Sequence, residues 1–206
     1  MTKPIERLRR PPRDEVRRRL IVAAAEVLAE RGYEASLEEI TERAGFSRGA
    51  FYSNFESKED LLLAALQERT NARIEELEEL LAGSNTPLEL LSALGTARRQ
   101  RRSWDSFAGH MRFLFYALAR RDLRARLARM ERARQRAFAE AATRLLGDLS
   151  DDAGKEVGRA LSALDHGLAI QTYLEGKGMP LDFAGIVGVL IRAAYEERSS
   201  AGGASA

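Results

Sequence analysis

The stretch that decides the fold of this chain is Ser47-Arg48-Gly49-Ala50-Phe51-Tyr52-Ser53-Asn54-Phe55-Glu56-Ser57-Lys58. Small residues lie near its start, aromatic residues lie in its middle, and a serine–lysine pair ends it. In a helix Phe51 and Phe55 are one turn apart and share a face, so they can anchor the segment to a core. Arg48, Tyr52 and residues 53–54 then point away from that core. This composition predicts a short helix that can enter the major groove of DNA.

The residues before this stretch predict a second helix and a tight turn. Ser36-Leu37-Glu38-Glu39 is a capping box, in which the serine accepts from the third helical amide and the glutamate reaches back to the cap. Gly45 predicts the end of this helix. A helix, a short glycine-containing turn and a second short helix form the helix-turn-helix pattern.

Two longer helices flank this motif. Pro11 and Pro12 stop any earlier helix, Asp14 can cap a first helix, and Gly32 predicts its end after Arg31. Its apolar positions recur at helical spacing and predict a buried face: Val16, Leu20, Ala23, Ala24, Val27 and Leu28. The fourth helix begins after Ser57, which can cap it, with Asp60 able to complete a capping box. It runs to about residue 82, before Gly83-Ser84-Asn85.

The rest of the chain predicts five more helices, and the fold class is therefore all-α with about nine helices. Their approximate ranges are 86–99, 104–119, 122–146, 151–175 and 181–198. The predicted organisation is a flexible basic arm (1–13), a helix-turn-helix domain (14–60, with the fourth helix continuing to about 82), a larger helical domain (61–198) and a disordered tail (199–206).

Composition excludes several functional classes. The 206 residues include no cysteine, so disulfides and thiolate metal sites are excluded, and the formal net charge is only +2. No nucleophile–base pair, metal-ligand cluster or phosphate-binding glycine loop is present, so we expect no enzyme, metal or cofactor. No apolar run suits a membrane span or an export signal, which favours a cytoplasmic protein. The arginine-rich residues 1–19 could reach phosphates, although such an arm by itself would more often be solvated.

Residues 14–66 together resemble the DNA-binding domain of TetR/AcrR-type transcriptional regulators. The resemblance rests on Arg18 to Ala25, then Arg31-Gly32-Tyr33-Glu34-Ala35, then the continuous run from Ser36 to Leu61. It covers about a third of the chain, and the remainder matches only in architecture. Two positions depart from the common pattern: the sequence Glu34-Ala35-Ser36 lacks an extra hydroxyl residue, and Ala50 replaces a frequent threonine.

The resemblance implies a set of DNA-binding residues: Ser36, Ser47, Arg48, Gly49, Ala50, Tyr52, Ser53, Asn54 and Lys58. Arg48 can reach guanine O6 and N7, and Tyr52 can contact a phosphate or a thymine methyl. Asn54 and Lys58 are expected on phosphates, which set register and not sequence. Taken singly, each of these residues could be an ordinary surface side chain.

The resemblance also implies a homodimer and a small-molecule site. Helices near 151–175 and 181–198 are expected to form the dimer interface, although their apolar faces could pack only inside one protomer. Aromatic and apolar residues of the 104–119 helix are expected to line a pocket for a hydrophobic ligand, although an ordinary core stripe explains them equally well. The tentative ligand residues are Trp104, Phe107, His110, Met111, Leu114, Phe115 and Tyr173. The arginines from Arg120 to Arg136 favour a solvated helix face.

These expectations describe a dimeric transcriptional regulator, a repressor that a small hydrophobic ligand releases from a palindromic operator. The alternative is a helical ligand-binding protein or adaptor that does not bind an operator. Salt-dependent, sequence-selective binding to duplex DNA separates the two.

Overall fold

The structure, a computed structural model, describes residues 11–84, 86, 89–90, 92–93, 104–146, 149–175 and 185–189. For residues 104–110, 145–146, 169 and 172–175 it describes the backbone alone. The helices are α1 (Arg13–Arg31), α2 (Leu37–Ala44), α3 (Arg48–Tyr52), α4 (Lys58–Gly83), α5 (Trp104–Leu118), α6 (Arg121–Leu146) and α7 (Asp151–Glu175), with a 3₁₀ turn at Gly32–Glu34. Residues 185–189 are also helical. The predicted all-α class is confirmed.

The ends of α2 and α3 follow local chemistry. Ser36 Oγ accepts from the Glu39 amide while Glu39 returns to the Ser36 amide, which completes the predicted capping box. Gly45 ends α2 with φ of 73°, a left-handed conformation that glycine adopts at little cost. Ser47 then caps α3 by accepting from the Ala50 amide. These caps fix the turn between the two helices.

Two predicted caps are corrected. Asp14 does not cap α1, because the helix already begins at Arg13 and Asp14 lies in its first turn, where a carboxylate favours the helix dipole. Ser57 does cap α4. The carboxylate of Asp60, however, does not complete a capping box, since it forms an ion pair with Arg126 at 2.8 Å. A partner on a distant helix replaces the local one.

One buried cluster joins the first four helices to α5 and α6. The predicted face of α1 is buried at all six positions, and Phe51 and Phe55 are also buried. Phe113 and Ala117 of α5 and Leu123 of α6 extend the same cluster. This core crosses the predicted domain boundary at residue 60, because Leu61, Leu62 and Leu63 of α4 belong to the same cluster as Phe51 and Phe55. The helix-turn-helix therefore packs directly on the helical domain.

Two smaller clusters lie farther along the helical domain. Leu77 and Leu81 of α4 pack with Leu90 and with Ala137 and Ala141 of α6. Leu168 of α7 packs with Val187, together with Phe138, Leu161, Leu164 and Ile186. Much of the apolar surface predicted for dimerisation is thus used inside the protomer.

Helices α6 and α7 approach very closely at Gly158. A Cβ placed on Gly158 would lie 2.3 Å from the Gln135 carbonyl oxygen and 2.9 Å from Ala139 Cβ. Only the absence of a side chain permits this spacing. Gly158 therefore allows α7 to pack closely against α6 of the same protomer.

Several predictions concern residues outside the described ranges: most of the basic arm, most of the helix near 86–99, most of the helix near 181–198, and the tail. Within the described helices, none has the length and apolar character needed to cross a membrane.

Candidate nucleic-acid interface

The outer face of α3 is the candidate nucleic-acid interface. Arg48, Gly49, Tyr52 and Ser53 are exposed, whereas Phe51 on the opposite face is fully buried. Tyr52 is 57% exposed although it is aromatic. Its ring edge packs on Phe51 with ring centroids 4.9 Å apart, which orients the phenol outward. A buried aromatic anchor with a polar outer face suits a helix that contacts a charged surface.

Several residues predicted to contact DNA have structural roles in this conformation. The hydroxyls of Ser36 and Ser47 cap helices. Ser53 Oγ donates to the Gly49 carbonyl at 2.9 Å, and Asn54 Nδ2 donates to the Ala50 carbonyl at 2.8 Å. These bonds stiffen α3 and the turn that follows it.

Lys58 is turned toward the protein. Its ammonium donates to the carbonyls of Tyr33 and Ala35 at 3.0 and 3.1 Å. It also lies 4.1 Å from the centre of the Tyr33 ring, a cation–π contact. An ammonium has three donor hydrogens, and the two carbonyls account for two of them. Lys58 therefore ties the start of α4 to the segment before α2.

Arg48 has two polar neighbours on the exposed surface, Glu38 and Tyr52. Its Nη1 lies 2.8 Å from Glu38 Oε1 of α2. The hydrogen bond with Tyr52, and then the charge of Glu38, raise the pKa of Arg48 above its ordinary value. The structure thus groups Arg48, Tyr52 and Glu38. Nothing in the sequence indicated that Glu38 belongs to this surface.

Three arginines of α1 bind the carboxyl ends of the motif helices. Arg13 Nη2 donates to the Ser53 carbonyl at 3.0 Å, and Arg17 Nη1 donates to the Asn54 carbonyl at 3.1 Å. Arg19 Nη2 donates to the Ala44 carbonyl at 2.8 Å. Carbonyls at a helix end lack partners within the helix and carry partial negative charge, so cations are favoured there.

The sequence showed these arginines only as part of a basic stretch. The guanidinium of Arg17 also lies over the Phe55 ring, 4.3 Å from its centre, and Arg19 lies 4.6 Å from the centre of the Phe46 ring. They position α3 relative to α1. No local signal could have identified them, because their partners are 25 to 40 residues away.

A second cluster connects the motif to α5. Glu59 Oε1 accepts from the Tyr33 hydroxyl at 2.8 Å and from the Tyr116 hydroxyl at 3.1 Å. The rings of Tyr33 and Tyr116 stack with centroids 3.7 Å apart. Arg120 Nη1 completes the cluster by donating to Tyr116 at 3.1 Å. We call Tyr33, Glu59, Tyr116 and Arg120 the Glu59 cluster, which joins α4, α5 and the turn after α1.

The surroundings shift the titration of this cluster. Burial, and then hydrogen bonds with Tyr116 and Glu59, raise the pKa of Tyr33 strongly, so Tyr33 stays protonated as a donor. Burial by itself would raise the pKa of Glu59. The hydrogen bonds from Tyr33 and Tyr116 and the charge of Lys58 outweigh it, and the pKa is lowered. Glu59 is therefore ionised at neutral pH and serves as the shared acceptor.

Glu59→Gln is expected to lower the free energy of unfolding at pH 7, with a loss that shrinks in acid. Because the folded state lowers the pKa of Glu59, its charge stabilises the fold above the unfolded-state pKa of about 4.3. That stability disappears as pH falls through the folded-state value. Urea unfolding of wild type and variant between pH 7 and pH 3 measures the difference, with Glu56→Gln, an exposed glutamate, as control. A difference that stays constant with pH would contradict this assignment.

The predicted ligand residues do not form one described pocket. Met111 and Leu114 are half-buried, but Phe115 is 64% exposed. Among the described side chains of α5, Phe113 and Ala117 are fully buried, and a ligand contact at Phe115 stays a prediction. The side chains of Trp104, Phe107, His110 and Tyr173 lie outside the described residues. Among described residues, one surface cleft of about 320 Å³ is lined mainly by charged residues of α1 and α2.

One arginine of α6 departs from the predicted solvated face. Arg134 is only 14% exposed and lies 2.8 Å from Glu131 and 3.4 Å from Asp165. It also donates to His166 Nε2 at 2.7 Å. Because α7 packs over this part of α6, the guanidinium is largely shielded from water and pairs with carboxylates there, while its buried Nε has no hydrogen-bond partner among the described residues. The other arginines of the run are largely exposed, apart from Arg126 with its ion pair to Asp60.

The helix-turn-helix region is similar in sequence to known proteins. Residues 20–65 match the model of bacterial regulatory proteins of the tetR family. The transcriptional activator FasR of Mycolicibacterium smegmatis is 42% identical over 73 residues, which are 35% of this chain and 33% of FasR. The chain spans about a third of the length of such curated relatives.

Solved structures extend the likeness to the whole fold. Regulatory protein TetR from Rhodobacter sphaeroides shares 25% identity with a TM-score of 0.60, covering 78% of this chain and 89% of that one. The multidrug binding protein EbrR, solved with imidazole, shares 23% identity with a TM-score of 0.61, covering 89% and 95% of the two chains. The matched relatives are regulators of transcription, not enzymes. Residues 20–65 are therefore similar to the tetR family of bacterial regulatory proteins.

Proposed function

We propose that the protein is a dimeric transcriptional regulator that inserts α3 into the major groove of an operator. The observation that carries this proposal is the outer face of α3, where Arg48 and Tyr52 are exposed on a helix anchored by buried Phe51. Caps at Ser36 and Ser47 and arginine contacts at the other helix ends hold this face rigid before DNA arrives. Such pre-ordering lowers the entropic cost of binding.

The predicted DNA contacts divide by role. Arg48 is the residue proposed for base readout, since guanidinium to guanine is the commonest specific contact. Tyr52 and Ser53 are proposed at phosphates or thymine methyl groups. Gly49 and Ala50 allow the backbone of α3 to approach the bases. Ser36, Ser47, Asn54 and Lys58 are proposed near phosphates, with structural bonds that they already make in the free protein.

The proposed dimer surface is the outer face of α7. Ala160, Ala163, Gly167 and Ile170 recur at spacings of three and four, and all except half-buried Gly167 are exposed. A Cβ on Gly167 would meet no atom within 4 Å, so this face has room for a second helix. Val189, 59% exposed, supplies apolar surface from the following segment. Small residues at the three- and four-residue spacing of heptad positions a and d suit close packing of α7 on a partner helix.

A small ligand is proposed to control DNA binding from the α5 side. Its proposed surroundings are the predicted pocket residues, of which Phe115 is exposed in this structure: Trp104, Phe107, His110, Met111, Leu114, Phe115 and Tyr173. The similar fold of EbrR, a multidrug binding protein, supports a small-molecule site in this architecture. A ligand that moves α5 would strain the Glu59 cluster and shift α4. Binding of ligand and of DNA would then be coupled in both directions.

Repression with release by ligand is the proposed direction of regulation. A dimer that occupies an operator overlapping a promoter blocks polymerase. The second candidate is activation, favoured by the 42% identity of the motif to FasR, which is named an activator. The position of the operator relative to the promoter decides between them, since the DNA contacts are the same in both cases.

The proposal is tested by selecting bound duplexes from random DNA and measuring their affinity. We expect enrichment of a two-fold symmetric site with half-sites about 34–36 Å apart or a multiple of that distance. Affinity should fall steeply with salt, because each phosphate contact releases counterions. Light scattering at micromolar concentration should report a dimer. A monomer, or binding without sequence preference, would instead support the alternative of a ligand-binding protein or adaptor without an operator.

A further inference from the structure

Glu38 lies at the edge of the candidate nucleic-acid interface. It is exposed in the first turn of α2, and its Oε1 contacts Nη1 of Arg48 at 2.8 Å. A carboxylate in this place repels the phosphates of an approaching duplex. Its presence on the DNA side of the motif therefore calls for a role that outweighs the repulsion.

Stability of the fold is not that role. The side chains of Arg48 and Glu38 are 60% and 54% exposed. Exposed ion pairs contribute little to the free energy of unfolding, because water screens them and two long side chains must be ordered. The first turn of α2 is already stabilised by the Ser36 and Glu39 capping box. The pair is better explained by what it does to the orientation of Arg48.

The geometry of the ion pair leaves Nε and Nη2 of Arg48 free to contact a base. A guanidinium carries five N–H donors in a planar fork. Glu38 takes one donor of Nη1, so Nε and Nη2 can still donate together to guanine O6 and N7. Tyr52 of α3 is a second polar neighbour of the same guanidinium and raises the pKa of Arg48.

We propose that Glu38 is a specificity-determining residue, which positions Arg48 for bidentate contact with guanine and keeps it away from phosphates. The inference rests on the proposed function, because it concerns how the operator is read. A fixed carboxylate partner makes the guanidinium face the base edges. Without this partner, the long arginine side chain can turn to the nearest phosphate, which carries no sequence information.

Two opposite effects are expected when Glu38 is replaced. Glu38→Gln should strengthen binding to unrelated duplex DNA by several-fold, since a repulsive charge is lost and Arg48 can contact phosphate. The same variant should reduce the preference for guanine over other bases at the Arg48 position by about 5-fold or more, within the range of one bidentate contact. The slope of log affinity against log salt should steepen by about 0.9 for each added phosphate contact.

The experiment measures affinities of wild type, Glu38→Gln and Glu42→Gln for the selected operator, for duplexes substituted at each position of the half-site, and for unrelated DNA. Glu42 is the matched control, because it is an exposed glutamate on the same helix and its side chain enters none of the described ion pairs. Glu42→Gln changes the net charge equally and should leave the preference for guanine unchanged. Glu38→Gln in an Arg48→Ala background should have no further effect on selectivity.

The outcomes separate the inference from the proposed function. Loss of preference at one base pair in each half-site, dependent on Arg48, supports the inference. An equal change of affinity for all sequences would mean that Glu38 acts only as a repulsive charge. A changed preference at a different base pair would mean that Glu38 itself contacts a cytosine amino group. Either result overturns the inference. If wild type shows no sequence preference at all, the proposed function fails first. Unchanged urea midpoints for both variants confirm that the fold is intact.

Discussion

Replacing Arg48 with alanine is expected to weaken binding to the selected operator by about 1–3 kcal/mol for each half-site, and so by about 2–6 kcal/mol for a dimer. The physical reason is the loss of the proposed bidentate contact, made by an exposed guanidinium that already forms an ion pair with Glu38. Fluorescence anisotropy with labelled operator measures the change. The preference for guanine at one position in each half-site should disappear with it.

The fold should not be affected, because the ion pair of Arg48 is exposed. Arg112→Ala is the matched control: it removes one exposed arginine from α5, away from α3, and should leave the operator preference unchanged. If Arg48→Ala weakens operator and unrelated DNA by the same factor, Arg48 contacts a phosphate, and base readout belongs elsewhere on α3.

Phe51→Ala is expected to lower the free energy of unfolding by about 3–5 kcal/mol, the usual cost of removing a buried phenylalanine. Phe51 is fully buried and lies at the centre of the motif, stacked on Phe55 at 6.0 Å and against the edge of Tyr52. A domain with typical stability loses a large part of it through this one change. Urea unfolding followed by circular dichroism measures the effect.

Tyr52→Ala is the control for this variant. Tyr52 is the next residue on α3 but is mostly exposed, so its removal should cost about 1 kcal/mol or less. It should nevertheless weaken operator binding, since its phenol faces outward. Equal losses of stability for Phe51→Ala and Tyr52→Ala would contradict the assignment of one inner and one outer face to α3. Lys58→Ala is less suited to this test, because Lys58 also binds two carbonyls of the fold.

Local patterns predicted much of the motif. The apolar spacing of α1 identified all six of its buried residues, and Ser36, Ser47 and Ser57 cap the predicted helices. These features depend on residues within one or two turns of each other, so a single sequence contains all the information that they require. Residue types with strong local preferences, such as glycine at the end of α2, are the easiest of all to interpret.

Residues with several possible partners could not be assigned in this way. Asp60 had a local capping position but binds Arg126 of α6, and Arg134 belonged to a run of arginines but is buried against α7. Lys58 could have contacted phosphate but binds the segment before α2. A charged side chain is long and flexible, so the partner that tertiary packing brings near determines its role.

The sequence by itself determined the resemblance to the family, the described helices of the motif and the two faces of α3, because periodicity, caps and turn glycines act over short distances. Only the tertiary structure decided which side chains remain on the outer surface and which bind the fold. In the folded protein Glu38 pairs with Arg48, and Arg13 and Arg17 bind the end of α3. Glu59 accepts hydrogen bonds from Tyr33, which precedes it in sequence, and from Tyr116, which follows it. These contacts connect residues 10 to 57 positions apart, and their geometry depends on how whole helices pack.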